Sequence, residues 1–300
     1  MTDDQTAERP DDTDAVVGAG APERVGVLGG GRMGAGIAHA FVLAGSHVVI
    51  VERDAAAADA ARERVVASLA KSVERGWAEP LDELEGRVSV ALDVDAFESS
   101  GLVIEAVPED EGLKADALAR VEAVLDDRAA LASNTSSISI DRLAASLTRP
   151  ERFLGLHFFN PVPASALVEI VLGEATQPVL ANDARAWVEA IGKTPVTVHD
   201  APGFASSRLG VALGLEAIRM VEEGVASPGD IDAAMELGYK HPVGPLRTTD
   251  IVGLDVRLGI AEQLHRDLGP RFEPPQLLRD MVADGRLGKK SGRGFYTWND

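Results

Sequence analysis

The chain has 300 residues, 45% of them hydrophobic, a formal charge of −19 and no cysteine. That length suits two domains, the missing cysteines exclude a disulfide framework or a thiolate metal site, and the charge argues against nucleic acid or anionic membranes as partners. No apolar run reaches membrane-span length, and the acidic N-terminus lacks a signal peptide's basic and apolar regions, so a cytoplasmic location is expected.

Residues 1–22 are rich in Asp, Thr, Ala and Pro and read as a disordered acidic tail. Order is expected from Arg24–Leu28, a short buried strand ending in Gly29-Gly30-Gly31-Arg32-Met33-Gly34. Apolar positions at helical spacing follow, and then a second strand, His47–Val51, which ends at Glu52. Gly29 permits a tight turn, Gly31 lets the backbone approach a pyrophosphate, and Gly34 lets the helix pack close to the strand. The helix start, Arg32-Met33-Gly34, offers free N–H groups and a positive dipole end. Glu52 stands where an acid accepts the ribose hydroxyls of NAD and repels the 2′-phosphate of NADP, although Arg53 beside it softens that repulsion. The bland alternative is a βαβ unit without cofactor.

Residues 55–76 read as an Ala-rich helix with Arg64, Ser68, Lys71 and Arg75 on one face. Such a stripe is either a solvated face or a grip on a phosphate-bearing ligand. Strands are expected at 87–91 and 102–107, then Glu109, a helix at about 111–126 containing Lys114, and a strand at 129–133. The strand runs into Asn134-Thr135-Ser136-Ser137, at the carboxyl end where open α/β sheets place ligands. Ser137 or Ser139 suits the cap of the next helix while Ser136 faces a ligand.

An apolar run from Phe153 to Phe159 then delivers His157 and breaks at Pro161 and Pro163. Leu167–Val171 carries a single carboxylate, Glu169. A carboxylate beside an imidazole fixes its tautomer and raises its basicity, as a general base acting on an alcohol requires. A satisfied core histidine beside a rim carboxylate is the competing reading. A helix at about 177–191 and a strand at Thr194–His199 complete the alternation. Beyond Pro202-Gly203-Phe204 only helices are expected, at about 204–224, 228–238, 245–268 and 275–284. The fold class is therefore α/β, with a Rossmann-type domain over 23–199 and a smaller all-helical domain over 200–300.

These motifs together resemble the 3-hydroxyacyl-CoA dehydrogenase family, most of all its short monofunctional 3-hydroxybutyryl-CoA dehydrogenases. The similarity runs from Arg24 to Trp298 and rests on Gly29–Ala38, Glu105–Glu109, Ser133–Ile138, His157–Pro163 with Glu169, Pro202–Phe204, Gly244-Pro245, Asp250–Asp255 and Gly288–Tyr296. It implies NAD-dependent oxidation of (S)-3-hydroxyacyl-CoA and the reverse reduction. His157 would be the base, Glu169 its support, and Ser136 a donor to the C3 oxygen. The residues matching Glu52, Glu109, Lys114, Asn160 and Lys290 would line the NAD site, and those matching Ser68 and Arg75 would touch CoA.

The chain departs from the family where an asparagine near the catalytic serine and histidine is replaced by Ser207, which has a shorter reach and one donor. Two rival readings stay open: a dehydrogenase of a small non-CoA 3-hydroxy compound, and a non-catalytic NAD-binding structural protein. The apolar helix pattern of the C-terminal region (Leu209, Leu213, Ile218, Met220; Ile251, Leu254, Leu258, Ile260, Leu264) leads us to expect a homodimer.

Overall fold

A computed structural model describes residues 20–298, so the expected N-terminal tail lies, up to residue 19, outside the described residues. The sheet is built from β1 (Arg24–Leu28), β2 (His47–Val51), β3 (Val88–Ala91), β4 (Leu102–Glu105), β5 (Ala130–Ser133), β6 (Phe153–Phe158), β7 (Leu167–Leu172) and β8 (Thr194–His199). Between them run α1 (Arg32–Leu43), α2 (Ala55–Glu74), α3 (Leu81–Glu85), α4 (Glu111–Glu122), α5 (Ile140–Ala144) and α6 (Pro178–Ala190). The strand order is β3-β2-β1-β4-β5-β6-β7-β8. All neighbours are parallel except β6 and β7.

The central strands are apolar over most of their length because helices cover both faces of the sheet. Side chains alternate between two cores: Leu102 and Ile104 of β4 enter one with Val27 and Ile50, while Val103 enters the other with Phe97 and Leu118. Each fully buried side chain of this kind contributes about 1.5–3 kcal/mol. The chain reverses its direction of winding between β1 and β4, which opens a crevice at their carboxyl ends.

The rest is helical: α7 (Ser206–Glu222), α8 (Pro228–Ala233), α9 (Pro245–Val252), α10 (Leu254–Leu268) and α11 (Gln276–Ala283). The helix expected over 245–268 is broken. Gly253 adopts φ 106°, and a Cβ there would lie 3.2 Å from the Lys290 ammonium. The helix expected over 228–238 ends at Ala233 and passes into a single π-helical turn, Ala234–Gly238. It begins as its sequence suggests, with Ser227 Oγ accepting from the Asp230 amide and Pro228 in the first turn. The apolar pattern of this region also divides. Ile218, Leu254 and Leu264 are buried in the helical domain's own core, whereas Leu209 and Ile251 are exposed. Among the described residues, no helix is long and apolar enough to cross a membrane.

Candidate active site

The antiparallel pairing of β6 with β7 sets His157 directly opposite Glu169. His157 Nδ1 lies 2.8 Å from Glu169 Oε2. Both side chains are buried, and burying an ion costs several kcal/mol unless it is well partnered. Glu169 also accepts from the Ala205 amide at 3.1 Å, the Ser206 amide at 2.8 Å and the Ser206 hydroxyl at 2.7 Å. These donors sit at the start of α7, where the helix presents its positive end. Burial pushes the Glu169 carboxyl up, but the bonds from His157 and Ser206 outweigh it and hold it below the usual carboxylate range. An anionic Glu169 takes the Nδ1 proton as its hydrogen bond and leaves Nε2 free to accept one.

The chain reaches that helix start through a sharp reversal. Gly203 has φ 75° and Phe204 φ 47°, and the left-handed region costs a non-glycine residue on the order of 1–3 kcal/mol. Phe204 is buried there, with its ring centroid 5.7 Å from that of His157. Phe159 flanks the imidazole at 4.4 Å. The two rings limit the rotation of the histidine.

Near the His157–Glu169 pair, the carboxyl ends of β4 and β5 hold a charge network. Lys114 Nζ donates to Glu105 Oε1 at 2.7 Å and lies 3.3 Å from Glu109 Oε2. Ser133 Oγ and the Val107 amide complete the shell of Glu105, both at 2.6 Å. Glu109 Oε1 accepts from the Thr135 hydroxyl, at 2.7 Å, and from the amides and hydroxyls of Ser136 and Ser137. Burial pushes the Glu109 carboxyl up, and the Lys114 charge with these donors brings it below its ordinary value. Ser139, rather than Ser137, caps α5 by accepting from the Arg142 amide. The hydroxyl of Ser136 thus stands at the cleft, 3.3 Å from Glu109.

Two clefts flank this assembly. The first, of about 650 Å³, is lined by Met33, Glu109, Lys114, Asn134, Ser136, His157, Phe159, Asn160, Ser207 and, from the helical domain, Val252, Val256, Arg257 and Ile260. The second, of about 510 Å³, is lined by Arg32, His39, Arg64, Ser68, Lys71, Arg75 and the turn from Asn160 to Pro163. Asn160 belongs to both. Lys193 anchors the loop that follows, donating to the Val162 carbonyl at 2.7 Å and the Ser165 carbonyl at 2.5 Å. The guanidinium of Arg75 lies 4.9 Å from the centre of the Trp77 ring, at the rim of the second cleft. The stripe on α2 is therefore one wall of a cleft that shares Asn160 with the first.

The glycine turn fits a dinucleotide. Gly29 has φ 94°, a Cβ on Gly34 would lie 1.8 Å from the Gly29 carbonyl oxygen, and a Cβ on Gly31 would meet nothing within 4 Å. The space that a side chain at position 31 would fill is open for a phosphate, and no side chain caps the N-terminus of α1. Glu52 Oε1 accepts from the Gly30 amide at 2.7 Å, which fixes the carboxylate at the edge of this turn. Lys290 is not among the cleft residues; its ammonium is 2.6 Å from Asp255.

The structure brings to the site three residues that the sequence does not single out: Ser206, Glu105 and Arg257. Ser206 and Glu105 have visible signals, the first as a hydroxyl two residues after the Pro-Gly-Phe reversal and the second as the one acid closing the apolar strand β4. Arg257 has none, because its helix reads as an ordinary mixture of charged and apolar residues.

Two family models match the chain: the NAD binding domain of 3-hydroxyacyl-CoA dehydrogenase over residues 24–201, and its C-terminal domain over residues 203–298. The chain is 44% identical over 283 residues to a 3-hydroxybutyryl-CoA dehydrogenase of Mycobacterium tuberculosis, covering 93% of this chain and 99% of the relative. It is 41% identical over 281 residues to a probable 3-hydroxybutyryl-CoA dehydrogenase of Bacillus subtilis, covering 93% and 98%. The crystal structure of (S)-3-hydroxybutyryl-CoA dehydrogenase from Ralstonia eutropha aligns with a TM-score of 0.89 at 38% identity, over 93% of this chain and all of that one (100%).

Proposed function

The chain belongs to the 3-hydroxyacyl-CoA dehydrogenase family, and on that premise we propose that it interconverts short-chain (S)-3-hydroxyacyl-CoA and 3-ketoacyl-CoA with NAD as redox partner. The observation that carries this reading is the His157–Glu169 pair at 2.8 Å, in a cleft that shares Asn160 with the one lined by the basic stripe of α2. Bound NAD supplies the hydride acceptor for oxidation and the hydride donor for reduction.

The protein's own part is to hold the substrate and move one proton. Ser68 and Arg75, with Arg64 and Lys71, are suited to the phosphate-bearing CoA portion. The Ser136 hydroxyl donates to the C3 oxygen. His157 Nε2 takes the hydroxyl proton during oxidation and returns it to the alkoxide during reduction. Glu169 offsets the charge of the imidazolium formed, and its shell of α7 donors keeps it from collapsing onto the substrate. Gly29, Gly31, Arg32, Met33 and Gly34 would cradle the dinucleotide, with Glu52 placed to accept from the adenosine ribose. Glu109, Lys114 and Asn160 would line the NAD site, whereas Lys290, which matches a residue of that site in the family, is held by Asp255 outside the cleft. Ser207 keeps part of the family asparagine's role.

We further assign residues 23–199 to the dinucleotide domain and 200–300 to a helical domain that pairs with a second copy. Exposed Leu209, Leu237, Tyr239 and Ile251 support that pairing. The protein works in the cytoplasm, without nucleic acid or membrane partners.

The test is NADH consumption with acetoacetyl-CoA, beside free acetoacetate and with NADPH as alternative reductant. Turnover confined to the thioester and to NADH supports the reading. Turnover of free acetoacetate alone would replace it with the non-CoA dehydrogenase. NADH binding with no turnover of either compound would favour the structural protein.

A further inference from the structure

The catalytic cleft contains a cation that the proposed reaction leaves unused. Arg257, on α10, lines the same cleft as Ser136, His157 and Ser207 and is only 9% exposed. Among the described residues its guanidinium makes no hydrogen bond or ion pair, and its Nε is buried without a partner. A guanidinium does not shed its charge to escape such a place, so the charge must be met by something else. Burial pushes it below its ordinary value, with no neighbouring carboxylate acting the other way. The one acid lining the cleft, Glu109, is already engaged by Lys114 and by the Thr135–Ser137 turn.

The guanidinium packs against the backbone of α7 at a position without a side chain. A Cβ on Gly210 would lie 3.3 Å from Arg257 Nη1 and 3.8 Å from Nη2. Gly210 follows Ser207 by three residues and shares its face of α7, about 4.5 Å along the axis. Two small residues thus lie on the face of α7 that runs from the catalytic centre towards Arg257, and the guanidinium takes up the room that Gly210 leaves. The approach is lined by the apolar Val256 and Ile260.

We propose that Arg257 receives a carboxylate at the far end of the acyl chain, so that the substrate is the CoA thioester of a short 3-hydroxy dicarboxylic acid; this rests on the acyl-CoA dehydrogenase reading above. The other anions of that reaction have sites elsewhere. The dinucleotide phosphates face the glycine turn and the CoA phosphates face the α2 stripe, and Arg257 lies on neither. What remains for it is an anion carried by the acyl group. Two parallel N–H bonds from a guanidinium match a carboxylate.

The experiment compares NADH consumption with 3-oxoadipyl-CoA and 3-oxohexanoyl-CoA, six-carbon chains that differ at the far end as carboxylate and methyl. The wild type should favour the dicarboxylate in kcat/KM by about tenfold or more. Arg257→Met should lose that preference, and Arg257→Lys, which keeps a charge but not the fork, should retain part of it. A wild type that prefers 3-oxohexanoyl-CoA, or treats both alike, overturns the assignment even if a variant fails to fold. Equal losses on both substrates in Arg257→Met would also overturn it, by making Arg257 a general donor to the thioester. Wild-type inactivity on these two thioesters and on acetoacetyl-CoA would instead remove the underlying dehydrogenase reading.

Discussion

On the sheet side of the catalytic cleft, Glu105, Lys114 and Glu169 are buried, and each is met by protein partners at 2.6–2.8 Å. On the helical side, Arg257 is buried and among the described residues is met by none. A protein gains nothing in stability from a lone buried charge, so the difference separates two purposes. Charges of the first kind hold the site's own geometry and are complete before any ligand arrives. A charge of the second kind is completed by something that enters. The contrast can be broken or sharpened by removing members from each side.

The largest effect belongs to the sheet side. His157→Ala should lower kcat by about 10²–10⁴ while NADH binding persists, the usual contribution of a positioned acid–base group. Glu169→Gln should cost less, because an amide keeps the shape and removes only the charge that supports the imidazolium. Steady-state kinetics with NADH titration by fluorescence checks both. An active His157→Ala enzyme would return the pair to an ordinary buried network.

The next prediction concerns stability and has opposite signs on the two walls. Lys114→Met leaves Glu105 buried without its cation and should destabilise by about 3–5 kcal/mol. Arg257→Met removes a charge that has no partner and should leave stability unchanged or raised. Urea denaturation of the two variants beside the wild type is the measurement. A destabilised Arg257→Met protein would mean that the guanidinium is bonded within the folded chain after all.

Much of this was legible in the sequence, for reasons that differ by region. Strand alternation, the glycine turn and the cross-strand His157–Glu169 pair all follow from local patterns, and the expected strands lie within two residues of the observed ones. The family and its NAD chemistry were legible because separated motifs recur in a fixed order. The break at Gly253 was not, since an isolated glycine within an apolar periodicity is tolerated in many helices and only its φ of 106° decides the matter. The division of the C-terminal apolar residues was also hidden. Periodicity says that Leu209 and Leu254 lie on apolar helix faces, but only packing separates exposed Leu209 from buried Leu254. Arg257 is the extreme case, because nothing local distinguishes a buried arginine from a solvated one.

The sheet side also contains a second buried histidine, which sharpens the comparison from within. His39 Nε2 is 2.9 Å from Ser72 Oγ, and it has Lys193 where His157 has a carboxylate. Burial, and then the Lys193 charge, pushes its pKa down from 6.5 to about 4. Between those values the unfolded chain binds a proton at this histidine that the native one refuses. Native stability should therefore fall as the pH is lowered from 6.5 to about 4, by roughly 3 kcal/mol at about 1.4 kcal/mol per tenfold. His39→Gln should flatten that part of a stability–pH curve measured by urea unfolding. Glu169, whose carboxyl is held below its ordinary 4.5, would contribute its own loss from about 4.5 downwards, as its charge is neutralised. An unchanged slope in His39→Gln would mean that the imidazole is hydrated in the native state.

The smallest effect is expected where the two walls meet, at Ser207. It sits in the first turn of α7, beside the Ser206 that binds Glu169, and lines the cleft with Ser136 and His157. The family asparagine would offer both a donor and an acceptor there, and a serine offers one hydroxyl with a shorter reach. A water in this polar cleft can supply the missing partner at little cost. Losing one net hydrogen bond is worth about 0.5–1.5 kcal/mol, or roughly threefold to tenfold in rate if it acts only in the transition state. Ser207→Ala should therefore slow acetoacetyl-CoA reduction by about that factor, far less than His157→Ala. Ser207→Asn should equal or exceed the wild type on the same substrate. On a chain that ends in a carboxylate the longer asparagine would narrow the path between Ser207 and Gly210 and lose ground. If Ser207→Asn improved both substrates alike, the small residues on α7 would have no part in the route to Arg257, and the two walls would share nothing beyond the cleft they enclose.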